Sequence, residues 1–249
     1  MFSSTLSLRR ALAFAALFLG SALLIVGCSP PWQHADAVGL AKKPTTQQLI
    51  ATVKKNYSTV KAFHVVMQVE NAGTASASSG QIEIRAANGD VIMPDKVKAQ
   101  ATVVLSGQPV TVNLVSIGDT QYITDPITGQ WRVIKGLLDP RTLTNPNTGI
   151  ISLLGKVQNV TQPTDDTVNG TPCWRVSGQL DAKYLAFFTG GGVPAGTMLA
   201  TSACVGKSDG LVYQVKVTGE AATGDTPQTT RLFTISNYNE NITITAPQV

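Results

Sequence analysis

Charge is scarce in this chain: 14% of its 249 residues are Asp, Glu, Lys or Arg, against roughly 25% in soluble domains. Histidine and cysteine are scarcer still, at two and three residues, which leaves little material for a metal centre or for acid–base chemistry. The formal net charge is +4 and falls to +2 once residues 1–27, with Arg9 and Arg10, are set aside. A surplus so small and scattered excludes a nucleic-acid footprint. The hydrophobic share of 43% excludes disorder. With 22 Gly and 13 Pro near background, collagen-like and low-complexity classes are excluded as well. There is no internal repeat and no second composition, so one domain of roughly 200 residues is expected after the leader.

What is present begins with an address. Arg9 and Arg10 form a positive start, and Ala11–Val26 is an uncharged run of 16 residues, short of the roughly 20 that span a bilayer. Residues 1–27 therefore read as a secretory signal peptide. Ile25-Val26-Gly27-Cys28 has the form of a bacterial lipobox, in which the Cys28 thiol receives a diacylglyceryl group. One acyl chain holds a protein to a bilayer marginally, and two or three hold it stably. Residues 28–44, with Ser29-Pro30-Pro31 and Lys43-Pro44, then form a tether without an apolar period. These readings place the body on the extracytoplasmic face of a cell membrane, in an oxidising compartment. There Cys173 and Cys204 are left either as a disulfide closing a loop of about 30 residues or as two separate buried thiols.

Residues 45–249 read as one domain of class α+β. Thr45 or Thr46 caps a helix whose Leu49, Ile50, Val53, Tyr57 and Val60 share a face. The period then changes to two. Val65, Met67 and Val69 fall on one side of a strand, and Ile82, Ile84 and Ala86 on one side of the next. Asn88-Gly89-Asp90 is a turn signal. Strands follow over 97–105, from Val110 through Leu114, at Gln121–Thr124 and at Gln130–Ile134. Leu137, Leu138, Leu143, Ile150, Ile151, Leu153 and Leu154, broken by Pro140 and Pro146, read as short helices. Asp165-Asp166 falls in a turn, and strand signals resume at Cys173–Gly178. Asp181 caps a short helix over Ala182–Phe188, and strands follow at Met198–Val205, Leu211–Thr218, Thr229–Tyr238 and Ile242–Ala246. About ten strands at hairpin spacing make an antiparallel sheet.

Motifs for chemistry fail on context. Gly206-Lys207-Ser208-Asp209-Gly210 matches G-x-S-x-G, but it sits between two strands and no histidine follows Ser208, whereas a nucleophile elbow needs a strand-to-helix turn. No Cys/His spacing suits zinc. No enzyme activity, metal or cofactor is expected. Trp131 and Trp174 are read as core residues or as the opening of a cavity, and Phe187-Phe188 beside Gly190-Gly191-Gly192 as a lip or an ordinary buried face.

A sheet of this size has one apolar face to cover and few helices to cover it. Either side chains fill the space or a cavity remains for an apolar ligand. Face alternation nominates Val65, Met67, Val69, Ile82, Ile84, Val103, Leu105, Val112, Leu114, Leu153, Leu154, Phe187 and Val215 as its lining.

At this point the chain resembles the LppX/LprA/LprF/LprG-type family of bacterial lipoproteins. The resemblance is carried by Ile25–Cys28, the helix from Thr45, Tyr122-Ile123-Thr124-Asp125 with Gly129-Gln130-Trp131, and Val168-Asn169-Gly170 through Trp174–Gly178. Val193-Pro194-Ala195-Gly196 and the stretch from Asn237-Tyr238 to Ala246-Pro247 complete it. The Cys173/Cys204 pair and Tyr238 depart from the pattern. The resemblance implies a fold similar to the LolA/LolB carriers: a strongly bent antiparallel sheet, a half-barrel, with helices on its concave face enclosing an apolar cavity. It also implies a monomer that binds an acylated lipid or glycolipid, is anchored to the membrane through Cys28, and works with a lipid transporter. The alternative use of the same fold is a lipid-anchored sensor or scaffold that binds an envelope protein.

Overall fold

The computed structural model describes residues 39–73, 83–105, 107–135, 139–145, 150–189 and 192–249, within one compact unit spanning residues 36–249. The signal peptide, Cys28 and the tether up to residue 38 lie outside the described residues. Among the described residues no helix is long and apolar enough to cross a membrane.

The chain enters through helix α1 (Thr46–Tyr57). Thr45 closes a capping box: its hydroxyl accepts from the Gln48 N–H at 3.2 Å, and the Gln48 side chain accepts from the Thr45 N–H at 2.9 Å. Two of the four orphan donors of the first turn are satisfied in this way. Leu49, Val53 and Tyr57 are buried, as their spacing predicts, while Lys54 and Lys55 lie exposed in the last turn, where the helix dipole favours cations.

Among the described residues eleven strands follow. They are β1 (Ala62–Glu70), β2 (Glu83–Ile92), β3 (Lys96–Leu105), β4 (Gln108–Ile117), β5 (Thr120–Thr124), β6 (Trp131–Ile134), β7 (Thr164–Val168), β8 (Thr171–Asp181), β9 (Met198–Gly206), β10 (Val212–Thr218) and β11 (Thr230–Ser236). They form a single sheet in the order β6-β5-β4-β3-β2-β1-β11-β10-β9-β8-β7. Every neighbouring pair is antiparallel. The sheet is open, with β6 and β7 as its edges. The first and last strands of the chain pair with each other at its centre. Of the short helical turns, α2 (Pro140–Thr144) is capped by Asp139 and followed by a 3₁₀ turn over Ile150–Gly155. A second 3₁₀ turn, Ala182–Leu185, is capped by Asp181 as predicted and runs into α3 (Ala186–Thr189).

Four expectations are corrected. Asn88-Gly89-Asp90 is no turn; it lies inside β2, facing Gln100, Ala99 and Lys98 of β3. Glycine is needed there for close approach, since a Cβ at Gly89 would meet the Lys98 carbonyl oxygen at 2.4 Å and the Ala99 methyl at 2.5 Å. The β2–β3 register shifts between Ile84 and Ala86, so Ala87, not Ala86, shares a face with Ile84. A bulge of one residue reverses the alternation beyond it. Asp165 and Asp166 lie in β7, where Arg175 of β8 pairs with Asp166 and Lys207 with Asp165. Ile242–Ala246 runs as irregular chain beside the sheet, with only Ile244 buried.

We call inner the face on which α1 packs. Leu49, Val53 and Tyr57 join Phe63, Val91, Val97, Trp174, Val176, Ala203, Val205, Val212 and Ile235 in the largest apolar cluster. It lies at the end of the sheet where β1 begins and β9 ends. Tyr213 donates to Asp209 at 2.6 Å, and the Tyr238 hydroxyl donates to the Val212 carbonyl in the same region. Burial raises the Tyr57 pKa to about 12 and drives those of Tyr213 and Tyr238 upward too. On the outer face Cys173 and Cys204 are joined in a disulfide between β8 and β9, with Cα atoms 5.6 Å apart, inside the usual range. Both sulfurs pack beside Val168.

Candidate functional site: the inner face of the sheet

Strand register places side chains from opposite ends of the sequence in rows across the inner face. One row runs Val112–Ala101–Ala87–Met67–Phe233–Val215–Ala203–Val176, from β4 to β8 through β3, β2, β1, β11, β10 and β9. Every member is apolar. Seven strand spacings make it roughly 34 Å long. The adjacent row toward α1 runs Ile123–Leu114–Ala99–Gly89–Val65–Ile235.

The two sides of these rows differ in bulk and in cover. On β8–β10, Leu180, Leu199 and Val217 cluster with Ala182 and Leu185 of the second 3₁₀ turn and with Ala221, and Leu153, Val157 and Val193 pack against them. On β2–β5, Ala101, Val103, Val112 and Ile123 cluster with Ile84, Ala87, Val110 and Ile134. The members of that cluster among the described residues all lie in strands, Ala87 and Ala101 being the small ones; Gly89 and Ala99 lie in the adjacent row, where Ala99 packs against the α1 cluster.

A pocket opens where α1 meets β8 and β9, lined by Ile50, Leu154, Val157, Val160, Val176, Ser177, Thr201, Ser202 and Ala203. It has the space of one or two waters. Around this pocket the inner face is closely packed. Gly178 contributes to that packing: a Cβ there would meet Val157 at 2.5 Å and the Gln158 carbonyl oxygen at 2.6 Å.

One row beyond, among Val110, Val103, Ile84, Val69 and Val217, the inner face carries a charged residue. Arg231, opposite Val69 and Val217, makes a two-pronged ion pair with Asp225 at 2.7 and 3.0 Å. Asp225 also accepts from the Ala221 and Ala222 N–H groups. Both charged side chains are buried. With partner charges and backbone donors supplied, the pair is compensated; removing one partner would leave a buried charge alone, at a cost of about 3–5 kcal/mol. It fixes the 219–229 loop to β11. Sequence reasoning missed this pair because the only signal, a strand arginine and a loop aspartate six residues apart, is common on surfaces.

The nominated residues divide clearly. Val65, Met67, Val69, Ile84, Val103, Leu105, Val112, Leu114 and Val215 share the inner face, with Leu105 at its exposed rim. Leu153 and Leu154 are half-buried, against the β8–β10 cluster and the α1 cluster respectively. Ile82 lies outside the described residues, as do the Phe187 and Phe188 side chains. Trp174 is buried and donates its indole N–H to the Leu40 carbonyl at 2.7 Å, while Trp131 is half-buried on edge strand β6. Ser208 sits exposed in the β9–β10 hairpin, and His64 pairs with Asp90 at 2.7 Å between β1 and β2. The strand-to-helix turn that a nucleophile elbow requires is not what surrounds Ser208.

Comparison with known proteins follows this architecture. A family model described as LppX_LprAFG lipoprotein matches residues 45–244. The chain is 23% identical over 245 residues to a lipoarabinomannan carrier protein LprG of Mycobacterium leprae, covering 97% of each. It is 21% identical to the protein of the same name from Mycolicibacterium smegmatis, over 93% of this chain and 94% of that one. The crystal structure of LprF from Mycobacterium bovis superposes with a TM-score of 0.66 at 20% identity, over 83% of this chain and 99% of that one. That of the Mycobacterium tuberculosis lipoprotein LppX superposes with a TM-score of 0.57 at 16% identity, over 80% of this chain and 98% of that one.

Proposed function

The chain belongs to the LppX_LprAFG lipoprotein family, and on that premise we propose that it is a membrane-anchored carrier of acylated lipids or glycolipids within the cell envelope. The observation that carries the reading is the apolar cluster on the inner face of β2–β6, in which Ala101, Val103, Val112 and Ile123 gather with Ile84, Ala87, Val110 and Ile134, all strand residues among those described. The name borne by the LprG relatives, a carrier of lipoarabinomannan, supports a glycolipid among the ligands.

No bond is made or broken in this account. A lipid with two or three long chains exposes dozens of methylene groups in water, and at about 0.8 kcal/mol each its unaided exit from a bilayer costs tens of kcal/mol. A protein surface that buries the chains removes most of that cost. The chains lie over the inner face of β1–β4, beside Met67, Ala87, Ala101 and Val112, and the headgroup stays in solvent at the rim. Apolar contact is non-directional, so chain type is read loosely. Cys28 carries the lipid anchor, the signal peptide is removed before it, and the body works on the extracytoplasmic side as a monomer that passes its cargo to a lipid transporter.

Native mass spectrometry of the purified protein tests this. The wild type is expected to retain one acylated lipid, removable by organic extraction and restored by titration. Ala101→Leu, which adds bulk at the centre of the face, is expected to fold and to hold several-fold less. A protein that never carries lipid, or an Ala101→Leu variant that carries as much as wild type, would overturn the reading.

A further inference from the structure

From Gly39 to Val69 the chain holds five lysines, Lys42, Lys43, Lys54, Lys55 and Lys61, and no aspartate or glutamate. Setting aside these five and residues 1–27, the rest of the chain carries 12 cations against 15 carboxylates. Charge is thus segregated into the first segment of the body. All five lysines are exposed, and none makes an ion pair among the described residues.

The fold holds this segment together at one end of the sheet. The Leu40 N–H donates to the Lys207 carbonyl at 2.6 Å and the Leu40 carbonyl accepts from Trp174 at 2.7 Å, so Lys42 and Lys43 leave from the β9–β10 hairpin. The last turn of α1 returns to the same hairpin, where the Asn56 side chain donates to the Asp209 carbonyl at 2.6 Å. Lys55 precedes Asn56 directly and so stands near the hairpin that Lys42 and Lys43 depart from, Lys54 reaches past Gly155 of the Ile150–Gly155 turn, and Lys61 follows four residues after α1. Only ten residues separate Gly39 from Cys28, a reach of at most about 40 Å. An anchored body cannot carry this face far from the bilayer.

We infer that the lysine face of residues 42–61 seats the body on an anionic bilayer surface, giving it a fixed side toward the membrane rather than free rotation on its tether. The inference rests on the anchor proposed above. Lysines beside an anionic leaflet each add an attraction that decays within a Debye length, and five act together when the tether keeps them within range. Phosphate headgroups are the chemical partner, met by exposed ammonium groups as point charges.

The test uses the full acylated protein in vesicles of phosphatidylcholine alone and of equimolar phosphatidylcholine and phosphatidylglycerol. Lysine acylation is read residue by residue by mass spectrometry, with the exposed Lys98 and Lys216 as internal references. On anionic vesicles labelling of the five lysines is expected to fall several-fold relative to the references, and to recover as salt is raised. Equal labelling on both vesicles, or protection of Lys98 and Lys216 instead, overturns the inference. The mass of the Cys28 peptide reads the anchor separately: protection of the five lysines without acyl mass sinks the anchor and supports the lysine face, whereas acyl mass without protection does the reverse.

Discussion

On β8–β10 the inner face carries Leu180, Leu199 and Val217, and turn residues pack onto them. On β2–β5 it carries Ala87, Gly89, Ala99 and Ala101, and the members of the Ala101 cluster among the described residues all lie in strands. Both sides obey the same alternation and belong to one sheet. The difference teaches that periodicity decides which face is apolar, while side-chain volume decides what that face is for. Where α1 meets β8 and β9, the pocket beside Val176 and Ala203 has the space of a water or two. Where small residues line β2 and β3, Ala101, Val103, Val112 and Ile123 are buried as well, and this is where the proposed acyl chains would pack.

The largest expected effect lies on the packed side. Leu199 is fully buried, so Leu199→Ala should cost about 2–5 kcal/mol, the usual range for emptying a tight site. Urea unfolding would measure it, and lipid occupancy should stay unchanged. A loss below about 1 kcal/mol would erase the contrast between the two sides.

A smaller effect sharpens the same comparison through pH. Tyr57, Tyr213 and Tyr238 all stand at the α1 end, and burial raises each of their pKa values. A group whose folded pKa exceeds its unfolded value of about 10 stabilises the fold fully below pH 10 and loses that contribution as pH rises to the folded value. For Tyr57, with a folded pKa of about 12, the loss by pH 12 is about 2–3 kcal/mol. Stability should therefore be flat up to pH 10 and fall steeply above it. Spectrophotometric titration in the folded protein with an ordinary tyrosine midpoint near 10 would show that this end is not dry.

Much of this was legible in the residues. The Thr45 cap and the helical face of Leu49, Val53 and Tyr57 follow from local spacing, and so does the inner side of β1. The Cys173–Cys204 bridge was one of two readings that compartment and count left open. What failed did so where long-range packing overrides local chemistry. Asn88-Gly89-Asp90 has turn chemistry, yet β3 lies so close that glycine serves a strand instead. The bulge before Ala86 leaves no mark in the alternation of Ile82, Ile84 and Ala86, because an inserted residue shows only against its partner strand. The small-residue centre was passed over because alanine and glycine score weakly as core, and the Arg231–Asp225 pair because burial of two charges depends on the loop that brings them together.

The most direct measurement is photo-crosslinking with a lipid that carries a diazirine near the end of one acyl chain, followed by peptide mapping. Labels are expected on the inner side of β1–β4, within residues 62–70, 97–105 and 108–117, with Ala101 and Val112 foremost. Labels confined to the outer face, or to β8–β10 around Leu180 and Leu199, would contradict the account.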